Sequence, residues 1–373
     1  MPDAQLLTTT IALTTWLNQH QDAAILALDT EFHRTTSYFP ELCLFQIAAG
    51  EQPEQIAVID ALAEGIDLRP LWAFLQHSSA VKVWHAPHQD IQIIVRLSGF
   101  IPTPMVDTQT AIALCGGRSG MGYENLIHDM LGIKLDKGPQ FSDWRRRPLS
   151  PQQWRYAADD VRYLWRAWAI LAKKLDANGR RTWLDEDMTA LSDPQSYLPN
   201  PQTAWRRLNI SKLKPSAQHR AARLAAWRED QAVARNIPRG HLFSDENLID
   251  WASKPPRHTD TLGRFLNAID APLVWALCNE NVDSTPLITS PALLSRNQQR
   301  LADFLKLALA LYADAEGIDS SMFMTSRDID ALVRHNLNTD VIDSPWRRRL
   351  LAIIINKNTT IIQLSGTTVT LQD

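Results

Sequence analysis

Cysteine is scarce in this 373-residue chain. Its three cysteines, Cys43, Cys115 and Cys278, lie far apart and form no CxxC pair. That spacing argues against a disulfide framework and a cysteine-ligated zinc site, and it fits a reducing, cytoplasmic setting. Long apolar runs are also missing: no stretch reaches the roughly 18 residues a membrane-spanning helix needs, so no membrane association is expected. The opening segment, MPDAQLLTTTIALTTWLNQHQD, has no basic region ahead of an apolar core, so it does not read as a secretory leader. With 45% hydrophobic and 21% charged residues, the composition is that of an ordinary folded protein. The length accommodates two or three domains at roughly 100–200 residues each.

Net positive charge is lacking too. The formal charge is −3 at pH 7, which taken alone speaks weakly against a polyanionic partner. The total hides an asymmetry: residues 1–200 carry 17 Lys+Arg against 23 Asp+Glu, and residues 201–373 carry 21 against 18. Within 201–240 stand nine basic residues (Arg206, Arg207, Lys212, Lys214, Arg220, Arg223, Arg228, Arg235, Arg239) and only two acidic ones. An acidic front half is thus joined to a basic segment.

Over the first 175 residues, short apolar runs (AILALDTEF, LCLFQIAA, QIAVID, VKVWH) alternate with helical patterns, which predicts a mixed α/β sheet. HQDIQIIVRLS has helical spacing and stops at Gly99. Ser150, Pro151 and Gln153 form a capping-box signature, and Trp154, Ala158, Val161, Trp165, Trp168 and Leu175 continue a buried stripe, so one helix is predicted over 150–175. SDPQSYLPNPQ, residues 192–202, reads as a linker. Beyond it the pattern is helical near 215–235, 245–252, 259–268 and 291–356, with Ser244 as an N-cap, and the chain closes on a hairpin pattern around Gly366.

Asp29 and Glu31 sit two apart on an apolar strand, so both leave the same face. Buried carboxylates that close call for a cation: a bound metal, or nearby Arg34, with a strand-edge acid as the simpler alternative. Asp90 opens a helix and on its own would be a dipole-stabilising acid. Asp160 shares a helix face with Tyr156 and Leu164 and points inward, whereas Asp159 aligns with Arg155, Arg162 and Arg166 and reads as a solvated face. Four acids spread over separate strand and helix elements, Asp29 and Glu31 sharing one, with no Cys/His set, suit hard cations, Mg²⁺ or Mn²⁺. Two such ions would activate a water for attack on a phosphodiester.

The motifs LALDTEF, HAPHQD (H-A-x-x-x-D) and YAADD (Y-x-x-x-D), in this order, resemble the three exonuclease motifs of the DEDD superfamily in its tyrosine-bearing subgroup, and more specifically the ribonuclease D family. DTEFHRTTSYFPELCLFQIA, MVDTQTAIALCGG and LDKGPQFSDWRRRPLSPQQWRYAADDVRYL carry the same likeness over about residues 20–175. The resemblance implies a ribonuclease H-like α/β exonuclease domain. It also implies that Asp29, Glu31, Asp90 and Asp160 bind two divalent cations and that Tyr156 stands near the attacking water. Tyrosine, with a pKa near ~10, is a poor base at neutral pH, so an orienting role for Tyr156 follows. His85 is read as shaping the site or as a core histidine, His88 as filling a variable position of the motif, and Asp107 as a helix cap. Lys137, Ser142, Asp143 and Trp144 fall in a loop the resemblance places near substrate, with Lys137 a phosphate contact. Arg145, Arg146 and Arg147 either grip a backbone or are merely solvated.

After the linker, LAAWREDQAVARNIPRGHLFSDENLIDWA resembles the helicase-and-ribonuclease-D C-terminal (HRDC) domain, an all-α bundle. The expected division is 1–191 exonuclease domain, 192–202 linker, 203–285 HRDC domain, and 286–373 a divergent second HRDC-like helical module with a short β tail. The basic segment, Arg206, Arg207 and Arg239 included, supplies a nucleic-acid grip, or else an ordinary soluble helix face; Trp205, Trp227 and Trp251 are expected in the core. The implied activity is 3′→5′ trimming of structured RNA such as precursor tRNA, releasing 5′-mononucleotides, by a cytoplasmic monomer. A DNA 3′→5′ exonuclease and a catalytically silent nucleic-acid-binding module are the alternatives.

Overall fold

The computed structural model describes residues 4–136, 138, 142–281, 283, 285–288, 293–356, 361–365 and 368–372. The chain divides into two compact units. One comprises Met1–Glu31, Leu42–Ser196 and Leu293–Asp373, and the other Phe32–Glu41 and Tyr197–Ala292.

The first unit is built on six strands: β1 (Gln5–Leu7), β2 (Ile25–His33), β3 (Glu41–Ala48), β4 (Ile56–Asp60), β5 (Val81–Trp84) and β6 (Met105–Asp107). Their order is β1-β4-β3-β2-β5-β6. β1 pairs with β4, β2 with β5 and β5 with β6 in parallel, and β3 pairs with β4 antiparallel, so the sheet is mixed. β3 and β4 are buried on both faces, which is why LCLFQIA and IAVI read as continuous apolar runs rather than alternating ones. Phe45, sealed in β3, meets Trp72 and Trp84 edge-on, at ring-centroid distances of 5.8 and 6.4 Å. Each such fully buried ring contributes about 2–3 kcal/mol.

The helix His88–Ser98 ends at Gly99, whose φ of 81° is the left-handed cap its sequence asks for. Ser150 caps the next key helix as expected: its side chain accepts from the Gln153 N–H, and Gln153 reciprocates. That helix is not continuous to 175. It runs Pro151–Arg162, breaks at Tyr163 and resumes as Leu164–Ala177, because the Tyr163 N–H turns to the Val161 carbonyl and interrupts the i→i−4 ladder.

The C-terminal helices Arg296–Glu316, Ser326–Arg334 and Pro345–Asn356 belong to the same compact unit as the sheet, which cuts across the expected boundary at 286. The contacts explain the grouping. Trp346 stacks on Trp183 at 4.5 Å, and its Nε1–H donates to Asp187 over 2.9 Å. Arg347 pairs with the same carboxylate at 3.0 Å, and the buried Arg180 pairs with Glu316 at 2.7 Å. Strands Ile361–Ser365 and Thr368–Gln372 pair antiparallel, consistent with the expected hairpin; Gly366 itself lies outside the described residues.

The second unit holds the helices Pro215–Arg235, Asp245–Ser253 and Asp270–Asn279 around a core including Leu224, Phe243, Leu248, Trp251 and Val274. Ser244 caps the middle helix by accepting from the Asn247 N–H. The helix expected over 259–268 tightens instead to a 3-10 turn, Thr259–Arg264, containing Gly263. Trp251 is core, and Trp205 and Trp227 pack against it partly buried. Among the described residues no helix is long and apolar enough to cross a membrane.

Candidate active site

Strand β2 carries Asp29 and Glu31 on one face, and the helix Pro151–Arg162 brings Asp160 to them. Ligand oxygens of Asp29, Glu31 and Asp160 all lie within 4.8 Å of one another. Asp90, on the first turn of His88–Ser98, is buried, and its Oδ1 accepts a hydrogen bond from the Thr30 hydroxyl of β2. It stands outside the 4.8 Å group, yet close enough that its charge is felt by the other three acids.

The electrostatics follow from burial and like charge. Burial, reinforced by Asp29 and Asp90, pushes Glu31 from the ordinary carboxylate range up to about 10. Asp29 is raised by burial and by Asp90 and Asp160, and Asp160 by burial and by Glu31, Asp159 and Asp90. Asp90 rises only to about 6, because burial is countered by its hydrogen bond from Thr30. Among the described residues no lysine or arginine forms an ion pair with any of the four; Arg34, the alternative cation, is exposed. Buried and half-buried carboxylates of this density, with no counter-charge paired to them among the described residues, fit a divalent cation with oxygen ligands.

Tyr156 lies one turn before Asp160 on the same helix. Burial and then the charges of Asp160, Glu31 and Asp29 raise its hydroxyl well above the usual phenol range, so it stays protonated at any physiological pH. Its ring lies 5.9 Å from that of Trp144, which is buried. A cavity of about 450 Å³ opens beside Tyr156 and Asp160, with Tyr123, Asn125, Gln152 and Arg155 among its walls. The sequence offered no signal for this wall, because Tyr123 and Asn125 lie some thirty residues from the tyrosine motif and meet it only through the fold. The Tyr123 hydroxyl donates to the Asp159 carbonyl at 2.8 Å, tying the two segments.

The lesser candidates separate. His85 is held at both ring nitrogens, 2.9 Å from Thr108 Oγ1 and 2.9 Å from the Met121 carbonyl; burial lowers its pKa. It braces the loop before Asp90. Asp107 caps its helix by accepting from the Gln109 N–H at 2.8 Å, and Asp159 pairs with Arg162 at 2.8 Å. Arg147 is locked to Asp60 at 2.6 Å and to the Trp144 carbonyl at 2.6 Å, so it shapes the loop from within. Arg145 is solvent-exposed beside Asp143 at 3.3 Å. Lys137 lies outside the described residues.

The basic segment proves largely neutralised. Arg207 and Arg239 both pair with Glu229, Arg223 with Glu280, Arg228 with Asp245 and Arg235 with Asp270. Arg220 donates to the Ala252 carbonyl at 2.7 Å. Arg206 lies 5.7 Å from the Trp205 ring centroid. Among the described residues Arg206, Lys212 and Lys214 are left in this stretch with neither an ion pair nor such a carbonyl. Composition could not reveal this, since the compensating acids Asp245, Asp270 and Glu280 come from later in the chain.

Comparison with known proteins agrees with this geometry. Residues 4–176 match a family model described as a 3′-5′ exonuclease, and residues 217–267 match the HRDC domain. A ribonuclease D of Sphingobium indicum is 38% identical over 86% of this chain and 86% of its own length. One from Zymomonas mobilis is 35% identical over 92% of this chain and 90% of its own. The crystal structure of Escherichia coli RNase D, an exoribonuclease involved in structured RNA processing, superposes with a TM-score of 0.81 at 26% identity, covering 95% of this chain and 99% of that one.

Proposed function

Because the chain belongs to the ribonuclease D family and is a 3′→5′ exoribonuclease dependent on divalent metal, we propose that Asp29, Glu31, Asp90 and Asp160 hold two cations, Mg²⁺ or Mn²⁺, that act on the 3′ ends of structured RNA such as precursor tRNA. The products are 5′-mononucleotides. Bound there, the cations supply an activated water and neutralise the charge that develops on the leaving oxygen.

The residues of the chain do the rest. Asp29, Glu31 and Asp160 would hold the cations through their carboxylate oxygens, and the Thr30 hydroxyl steadies Asp90. Tyr156 orients the attacking water by hydrogen bond; a phenol, with an ordinary pKa near ~10, is a poor base at neutral pH. Trp144, buried against the tyrosine ring, limits the freedom of that ring. Lys137 and Arg145 contact RNA phosphates near the site, and the unpaired Arg206, Lys212 and Lys214 supply the grip of the helical unit. The enzyme works as a monomer in the cytoplasm, a setting in which its three cysteines stay free.

The observation that carries the reading is the convergence of three carboxylates from two separate elements within 4.8 Å, with no basic ion-pair partner among the described residues. Asp29→Asn tests it: activity on a single-stranded RNA should be lost, with RNA binding in chelator unchanged. Full activity in that variant contradicts the assignment.

A further inference from the structure

Glu31 is followed directly by a segment, Phe32–Glu41, that clusters with the helical unit rather than with the sheet. Within that unit the segment is fastened at Tyr38. Tyr38 is buried, and its hydroxyl donates to Glu229, a carboxylate 2% exposed on the helix Pro215–Arg235. Arg239 closes the same group from the other side. Its guanidinium forks onto both Glu229 oxygens, one at 2.7 Å, donates to the Tyr38 hydroxyl at 2.7 Å, and lies 4.5 Å from the Tyr38 ring centroid. Arg207 adds a fourth bond to Glu229 at 2.7 Å. Next door, the Phe39 N–H donates to the side chain of Asn236, the left-handed cap of that helix, at 3.1 Å.

We propose that Tyr38, Glu229 and Arg239 form a clamp by which the helical unit positions the segment leaving the metal-ligand strand, so that these residues serve turnover rather than grip RNA. The inference rests on the assignment of Asp29 and Glu31 as metal ligands. Its physical basis is short reach. Strand β2 orders the chain to His33 and the clamp orders it from Tyr38, which leaves only Arg34, Thr35, Thr36 and Ser37 between two fixed points. Four residues spanning two anchors have little conformational freedom to lose when substrate arrives. Nε and Nη2 of Arg239 are spent on Glu229 and Tyr38, so that edge of its fork is not available to a phosphate without breaking the clamp. Glu229 stays ionised throughout the working range: burial raises it, but hydrogen bonds from Arg239, Arg207 and Tyr38 win and bring it down to about 2.

The test uses the full-length protein with Tyr38→Phe, which removes one oxygen and keeps the ring under Arg239, and with Glu229→Gln. Tyr38→Phe should lower kcat about tenfold on a single-stranded RNA, the scale set by a small misplacement at a reaction centre. It should leave KM and the salt dependence of RNA binding unchanged, and speed hydrogen exchange over residues 32–37. Glu229→Gln should do the same, and the double variant should be no worse than the poorer single one. Unchanged kcat and exchange in Tyr38→Phe overturn the clamp whether or not Glu229→Gln folds. So does a loss confined to KM with a salt slope reduced by about one in Arg239→Gln, the mark of a phosphate contact. Asp29→Asn run alongside separates the two ideas: if it is inactive while Tyr38→Phe is fully active, only the clamp fails; if it is active, the ligand assignment fails first.

Discussion

Glu31→Gln should make the metal-free protein more stable, although it destroys the enzyme. In the fold the Glu31 carboxyl titrates at about 10, against 4.5 when unperturbed. A carboxyl raised on folding binds a proton more tightly in the native state, so its stability contribution is complete below about pH 4.5 and is lost progressively as pH rises towards 10. At pH 7 the unfolded chain has released that proton and the folded chain has not. At about 1.4 kcal/mol per pH unit, the interval from 4.5 to 7 puts an upper bound of about 3–4 kcal/mol on the cost. Because Glu31 is only half-buried, screening reduces this to about 1–2 kcal/mol, or a few degrees in Tm for a unit of this size. Glutamine has the same shape and no charge, so it escapes the penalty. Thermal unfolding in chelator at pH 5, 7 and 9 should show a gap between variant and wild type that widens with pH, and Mg²⁺ should raise the wild-type Tm but not that of the variant. A gap that stays flat or reverses would refute the electrostatic account of the site.

Three other outcomes follow from the same geometry. Tyr156→Phe should lower kcat about 10–100-fold while the metal concentration for half-maximal activity moves less than twofold; an unchanged rate removes the orienting role. Asp60→Asn leaves the Arg147 guanidinium without its carboxylate beneath the Trp144 loop and should cost about 2 kcal/mol in denaturant unfolding. Replacing Arg206, Lys212 and Lys214 together by alanine should flatten the log–log dependence of RNA affinity on salt by about 2–3 units, with kcat at saturating RNA unaffected.

Much of the site was legible in the sequence because its signals are local. Asp29 and Glu31 declare a shared strand face by their spacing, Ser150 and Gln153 announce the helix that delivers Tyr156 and Asp160, and Gly99 ends the helix that Asp90 begins. What escaped depends on contacts between distant segments. The break at Tyr163 is invisible in a stripe of Trp and Leu that continues its period through it. The neutralisation of Arg228 by Asp245 and of Arg235 by Asp270 turns a basic run into a set of internal ion pairs, and residue counts over a window cannot register partners outside it. The same holds at the C-terminus: its helical pattern suggests an independent module, whereas Trp346 and Arg347 seat it against Trp183 and Asp187 of the sheet-bearing unit.

The central claim is that four carboxylates make this chain a metal-dependent enzyme that removes nucleotides from RNA 3′ ends. The most direct test is mass analysis of the products from a 5′-labelled RNA and a matched DNA strand, incubated with Mg²⁺, Mn²⁺ or chelator. The expected products are 5′-mononucleotides and a labelled ladder shortening from the 3′ end, from RNA in preference to DNA, with either metal and none in chelator. Undiminished degradation in chelator, or release of the 5′-labelled nucleotide first, would contradict that claim.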